Sequence, residues 1–206
     1  MSKTKKRTGK FIIFEGLDGS GKTTALQKAL YFLASENKFK SVNFKGVASN
    51  TKFGKKIKPK YSTFWFLVDL WFLTRELIKP SLKRKYNVLQ DKYYLYLMAH
   101  YPDNKKIFNK LWLWFFQTFL LKKPDLIIFF DVEDDIRRKR LKKDINNKHH
   151  IELASNPELL AKRKLGYMRC LQKHKDIVVR IDTSHKDIHT VGREVANIIK
   201  KEVRRG

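Results

Sequence analysis

The stretch Gly16-Leu17-Asp18-Gly19-Ser20-Gly21-Lys22-Thr23 carries the spacing G-x-x-x-x-G-K-[ST]. Those residue types suit one task, the holding of a polyphosphate tail. Gly16, Gly19 and Gly21 let the backbone turn where side chains would clash. Successive N–H groups, including that of Ser20, then face phosphate oxygens. Lys22 places a cation on the outer phosphates, and Thr23 offers its hydroxyl to Mg²⁺. Thr24 closes the nucleotide-binding stretch. A second carboxylate is needed near the metal. Asp91 and Asp131 both follow strand-like runs, where ligands of open α/β sheets gather. The basic run from Arg137 to His150 contains Arg138, Arg140, Lys142 and Lys143. It reads either as a solvated charged helix or as a lid over the triphosphate. Mobile cations of a lid stabilise the charge that spreads over a phosphoryl group in transit. His149 and His150 have no Cys or His partner at metal spacing.

These groups need a scaffold that brings distant strand ends together. Phe11–Phe14 and Leu126–Phe130 are short, continuous apolar runs, as buried parallel strands are. Ser41–Phe44, Tyr86–Gln90 and Ile177–Ile181 supply three weaker strand candidates. Helices are expected over 21–34, 64–82, 93–100, 104–121 and 133–143. Another opens at Pro157, with Ala161, Leu165, Met168 and Leu171 on its apolar face. The last repeats Ile188, Val191, Val195 and Ile198 every three or four residues. Residues 50–61, with Gly54 and Pro59, read as a loop with at most a short helix; residues 144–155 read as a loop. Strands alternating with helices imply a parallel sheet covered on both faces. Without a Pro/Gly/Ser-rich linker, the 206 residues read as a single domain with a basic tail at 1–9 and a lid near 137–155.

The chain carries 46 Lys+Arg against 20 Asp+Glu, a formal charge of +26. Such a surface favours anionic partners. One cysteine, Cys170, excludes an internal disulfide and reads as a packing residue. Leu111–Leu121 is apolar nearly all round, so it is expected to be buried, in a dimer contact first and against a membrane surface second. It falls short of the roughly 20 residues of a membrane span. The expected location is the cytoplasm.

Phe14-Glu15-Gly16-Leu17-Asp18-Gly19-Ser20-Gly21-Lys22-Thr23-Thr24 resembles the thymidylate kinase signature E-G-x-D-G-x-G-K-[ST]-T. The likeness continues through Gln90-Asp91-Lys92-Tyr93, Lys123-Pro124-Asp125-Leu126, His150-Ile151-Glu152 and Asp182-Thr183-Ser184. It implies a three-layer P-loop NTPase fold, α/β, with a five-stranded parallel sheet, helices on both faces and a basic lid. It implies transfer of the ATP γ-phosphate to dTMP, with Mg²⁺, by a homodimer. The resemblance makes Asp18 a ligand of the acceptor sugar and gives Asp91 preference over Asp131 at the metal, beside Thr23. Lys92 falls on the acceptor phosphate and Phe66 on its base. The catalytic set is then Lys22, Asp18, Asp91 and Arg140. Glycine at position 19 leaves the P-loop without an arginine, so the resemblance implies that the lid supplies that cation from Arg137, Arg138, Arg140, Lys142 or Lys143; His150 and Glu152 belong to the same segment. Four places depart from the family pattern. Gly46–Thr51 replaces Arg-Glu-Pro-Gly-Gly, Leu70 replaces an arginine that reads the base, Lys92 replaces an arginine, and His150 replaces a lid arginine. Two alternatives go with this reading: a related kinase with another small acceptor, and a basic nucleic-acid-binding ATPase with Tyr93, Tyr94, Tyr96 and Tyr101 as a stacking surface.

Overall fold

The computed structural model describes residues 8–36, 38–43, 52–100, 107–144 and 146–205. Five strands form one sheet in the order β2-β3-β1-β4-β5. They are β1 (Phe11–Gly16), β2 (Phe39–Asn43), β3 (Asn87–Asp91), β4 (Leu126–Asp131) and β5 (Val178–Asp182). Every pairing is parallel. The strands lie within about two residues of where their apolar runs put them, and β1, β3 and β4, buried nearly throughout, have no polar side to blur the signal.

Alternate residues of the central strands feed two cores. Phe11, Ile13, Val88, Ile127 and Phe129 face one way, with Leu67 and Leu70 of α2 (Lys52–Leu73), Leu95 of α4 (Tyr94–His100) and Tyr167 of α8 (Pro157–Gln172). Ile12, Phe14, Leu89, Ile128 and Phe130 face the other way. There they meet Ala25 and Ala29 of α1 (Lys22–Leu33) and Val191, Val195 and Ile199 of α9 (Ile188–Arg204). This is the α/β architecture expected of the sequence, with β1 central and flanked by β3 and β4. Its loops therefore open at the carboxyl ends of three neighbouring strands.

Several expectations fail, for local reasons. Residues 52–62 are helical, not a loop, as the first half of α2. Packing of the second half overrides the weak propensities of Gly54 and Pro59. The helix expected over 64–82 widens into a π turn at Thr74–Ile78 before α3 (Lys79–Lys83). Pro80 is the cause: its ring excludes an ordinary helical carbonyl one turn earlier. The helix expected over 104–121 is α5 (Ile107–Phe115) followed by a second π turn, Phe116–Leu120. Residues 148–154 are α7, capped by the Asn147 side chain, which accepts from His150 N. Helix α6 runs Asp134–Lys143. On α8 the buried face is Leu160, Tyr167 and Leu171, whereas Ala161 and Leu165 are exposed. Gly166 sets that rotation, since a Cβ there would stand 2.5 Å from Ala99 O on α4.

Leu111–Leu121 is not buried throughout. Phe116 and Leu121 enter the core, but Leu111, Trp114 and Phe119 are more than half exposed. Among the described residues no helix is long and apolar enough to cross a membrane.

Candidate active site

The loop from Gly16 to Thr23 joins β1 to α1, so its amides lie at a strand end and a helix start together. Gly19 (φ 83°) and Gly21 (φ 79°) take the left-handed conformation that other residues resist. Lys22 is buried, with Nζ 3.4 Å from Leu17 O and 3.7 Å from Asp18 Oδ1. Burial pulls its pKa below the usual lysine value and neighbouring Lys92 adds to this, against Asp18, Asp91 and Glu15. A ligand with several negative charges would relieve both effects.

Strand β3 runs beside β1 and brings Asp91 to the loop. Thr23 Oγ1 donates to Asp91 Oδ2 at 2.6 Å. Asp91 Oδ1 is buried without a hydrogen-bond partner among the described residues. A hydroxyl and a carboxylate with an orphaned oxygen are hard donors that fit Mg²⁺. Asp131 is engaged elsewhere, its Oδ1 accepting from Val132 N at 2.9 Å.

On the other side of Asp18 the acceptor candidates form a chain. Lys92 Nζ donates to Asp18 Oδ1 at 3.2 Å and lies 4.9 Å from the centre of the Tyr96 ring. Tyr96 stacks on Phe66, with centroids 6.0 Å apart and planes 24° from parallel. Burial lowers the Lys92 pKa, but Asp18, Tyr96 and Asp91 together outweigh it, so the net shift is upward. Its backbone is left-handed (φ 58°), costly for a residue with a Cβ, and Lys92 N donates to Phe14 O at 3.0 Å. Asp18, Phe66 and Lys92 thus come together, joined by Tyr96. The sequence had placed Tyr96 only in a stacking surface.

Beneath them sits Glu15, fully buried. Its carboxylate accepts from Tyr93 N at 2.8 Å and from the Tyr167 hydroxyl at 3.2 Å. Burial raises its pKa to about 7, against those hydrogen bonds and Lys22. Glu15 and Tyr167 tie β1, the turn after β3 and α8 into one unit.

The family model described as thymidylate kinase matches residues 14–195. The chain belongs to the thymidylate kinase family. The probable thymidylate kinase of Archaeoglobus fulgidus is 30% identical over 200 residues, covering 92% of this chain and 94% of that one. The thymidylate kinase of Leptospira borgpetersenii is 32% identical over 182 residues, 84% of each chain. The solved thymidylate kinase of Candida albicans superposes with a TM-score of 0.71 at 23% identity, covering 94% of this chain and 92% of that one. That of Ehrlichia chaffeensis gives 0.64 at 20% identity over 94% and 99%. The two structures carry the fold. Membership makes the chain an ATP-dependent phosphotransferase of the nucleoside monophosphate kinase type, similar to dTMP kinases.

Within this family member the basic segment is not a row of free cations. Arg140 is tied down: Nη2 donates to Thr183 O at 2.6 Å, and Nη1 to Thr183 Oγ1 at 3.1 Å and Gly19 O at 3.5 Å. Thr183 Oγ1 also lies 2.8 Å from Ser20 O. Arg140 therefore braces the P-loop against the turn after β5. Arg137 is wholly buried beside Gly19. Lys143 and Glu152 are exposed, and His150 Nδ1 pairs with Asp144 Oδ2 at 2.8 Å. Leu70 is fully buried among core side chains. Tyr93 and Tyr94 are buried too, so they offer no platform for bases. Tyr101 and Gly46–Thr51 lie outside the described residues.

Proposed function

We propose that this enzyme moves the γ-phosphoryl group of ATP onto dTMP with Mg²⁺, using the P-loop for the donor and the Asp18–Lys92–Tyr96–Phe66 chain for the acceptor. The observation that carries this is the 2.6 Å contact between Thr23 Oγ1 and Asp91 Oδ2. It joins the phosphate loop to the strand that also presents Lys92 to the acceptor side.

Lys22 binds the outer phosphates of ATP, its buried ammonium exchanging Asp18 for phosphate oxygens. The amides of Gly16, Gly19, Ser20 and Gly21 hold the β-phosphate, and Thr24 extends that stretch into α1. Thr23 and Asp91 hold Mg²⁺, which when bound would screen the triphosphate charge and orient its oxygens. Asp18 accepts from the acceptor sugar, Lys92 neutralises the acceptor phosphate, and Phe66 stacks on the base. Arg140 positions the P-loop against the turn after β5 through its contacts to Gly19 and Thr183. Lys143, His150 and Glu152 line the outer edge of the lid segment. The whole acts as a single kinase domain.

Support for a homodimer comes from Leu111, Trp114 and Phe119, three large apolar side chains more than half exposed on α5 and the π turn that follows it, with the Trp114 and Phe119 ring centroids 5.8 Å apart. Sedimentation of wild type and Phe119→Lys checks it: a dimer that becomes a monomer is expected.

The deciding experiment is acceptor-dependent ADP release across a panel of nucleoside monophosphates, nucleosides and nucleic acids. Highest kcat/KM with dTMP is expected. Highest turnover with another acceptor would transfer the same machinery to that acceptor, and ATP hydrolysis stimulated only by nucleic acid would remove the kinase reading.

A further inference from the structure

In a parallel sheet every strand starts on the same edge. Here the register sets those starts side by side: Phe11 pairs with Val88, Ile12 with Leu126, Phe39 with Asn87 and Ile127 with Val178. A lysine stands at most three residues ahead of each strand: Lys10 before β1, Lys38 before β2, Lys85 before β3, Lys123 before β4 and Lys175 before β5. All but Lys10 are exposed. The phosphate loop lies on the other edge, past the carboxyl end of β1, about 17 Å away.

Helix α9 brings more charge to the edge where the strands start. It returns antiparallel to the strands, so its last turns reach their starts. There Lys200 Nζ lies 3.0 Å from Glu36 Oε1, and Glu202 Oε1 lies 2.9 Å from Lys10 Nζ. Val191, Val195 and Ile199 face the sheet. The outward face carries Arg193, Asn197, Lys200, Lys201 and Arg204 at helical spacing, a stripe about 17 Å long. An open groove of about 570 Å³ follows it past Asn197 to Arg205. The acids of α9 are used elsewhere: Glu194 pairs with Lys186 at 2.7 Å and Glu202 with Lys10.

Two features favour nucleic acid over other polyanions. The first is apolar surface beside the cations. Tyr86, between Lys85 and β3, is 40% exposed. Beside β5 a second open groove, about 450 Å³, is lined by Lys175 and Arg180 together with Met168, Leu171 and Val178. A cation next to a ring or an apolar floor suits a phosphate and the base attached to it. The second feature is shape. The cations turn a corner, from the sheet edge onto the outer face of α9. A flat bilayer meets one of those surfaces at a time, whereas a flexible strand follows both.

We propose that this edge and the outer face of α9 bind single-stranded nucleic acid through its phosphates, with Tyr86 stacking on a base. The surface is separate from the kinase centre, so a nucleic-acid strand and ATP–Mg²⁺ bind together. It gives a use to part of the +26 charge that phosphoryl transfer does not need.

The test follows a labelled single strand of about 20 nucleotides by fluorescence anisotropy with the full chain, with and without ATP–Mg²⁺. Binding should be unchanged by ATP–Mg²⁺. Tripling the salt should weaken it about twentyfold, as contact with about four phosphates requires. Lys201→Glu with Arg204→Glu should weaken binding about tenfold more than Lys139→Glu with Lys148→Glu. The second pair changes the charge equally on α6 and α7, and all four side chains are exposed, so the fold is kept. The first pair should leave kcat of the kinase reaction at its wild-type value. Tyr86→Ala should lower affinity several-fold with the same salt dependence. Equal losses in the two double variants would overturn the proposal, by making binding a property of total charge. Displacement of the strand by ATP–Mg²⁺ would overturn it by moving the strand to the kinase centre. Equal affinity for a duplex of the same length would overturn the single-strand assignment. Binding to phosphatidylserine vesicles but not to the oligonucleotide would replace nucleic acid by a membrane surface. A wild type that binds no oligonucleotide at low salt rejects the proposal and leaves the kinase reading untouched.

Discussion

The donor side and the acceptor side of this site are built in different ways. The donor side is mostly local: one loop of consecutive residues, from Gly16 to Thr23, with Asp91 added from a neighbouring strand and Arg140 as a brace. The acceptor side is assembled across the chain, with Asp18, Phe66, Lys92 and Tyr96 in contact although they come from the P-loop, α2, the end of β3 and α4. A local site stands once its loop has folded. An assembled site depends on the packing of every element that contributes to it. Changes on the donor side should therefore affect chemistry without affecting stability, and changes on the acceptor side should often affect both.

The largest effect tests the first half of that contrast. Lys22→Ala should lower kcat by about a thousandfold, roughly 4 kcal/mol of transition-state stabilisation. Its melting temperature should not fall, because burial already holds the ammonium under strain. Steady-state kinetics beside calorimetry checks both parts. A marked loss of stability would mean that Lys22 also holds the loop together.

Leu70 tests the second half. By analogy with the family an arginine there would read the base, so Leu70→Arg tests whether that side of α2 belongs to the acceptor pocket. The side chain is 0% exposed and packed in the larger core. An unpaired charge placed there should cost on the order of 4 kcal/mol of stability. Urea unfolding reads this directly. Normal stability with better use of dTMP would show that α2 turns its Leu70 face toward the acceptor.

The same contrast decides what could be read from the chain alone. The P-loop and the five strands were legible because their signals are contiguous: a fixed spacing of Gly, Lys and Thr, and unbroken apolar runs. The start of α2 was not, since Gly54 and Pro59 mark a break locally that tertiary packing overrules. Helix α7 hid in a polar stretch, although Asn147 offered a capping signal. Arg137 looked like any other cation of a charged helix; only the fold shows that it is buried beside Gly19 while Arg140, three residues on, braces Thr183. Tyr167 gave no local sign of a role and Tyr96 only a place in a stacking surface, because each acquires its role through a neighbour distant in the chain, Glu15 for one and Phe66 for the other.

Glu15 lies where the two halves meet, and its pH behaviour follows from burial. Its pKa is about 7 in the folded chain against 4.5 for a free side chain, so between those values the folded state binds more protons than the unfolded one. Stability from this group is fully present below pH 4.5 and is lost as pH rises to about 7. The loss is roughly 3 kcal/mol. Glu15→Gln should flatten that part of the stability profile and keep the contacts to Tyr93 N and the Tyr167 hydroxyl. An unchanged slope in Glu15→Gln would assign the titration to another group.

The smallest effect separates the halves most cleanly. Lys92 is about a third exposed; its ammonium donates to Asp18 and lies over the Tyr96 ring, with Asp91 and Lys22 in electrostatic reach. Lys92→Gln removes its charge without opening the core. The acceptor KM should rise about tenfold, near 1.4 kcal/mol, with the KM for ATP unchanged. Lys92→Arg should retain acceptor binding, because a guanidinium can grip a phosphate through two N–H groups where the ammonium acts as a point charge. If both substitutions raise the two KM values together, Asp18 transmits the loss to Lys22, and the two sides work as one charged unit despite their separate construction.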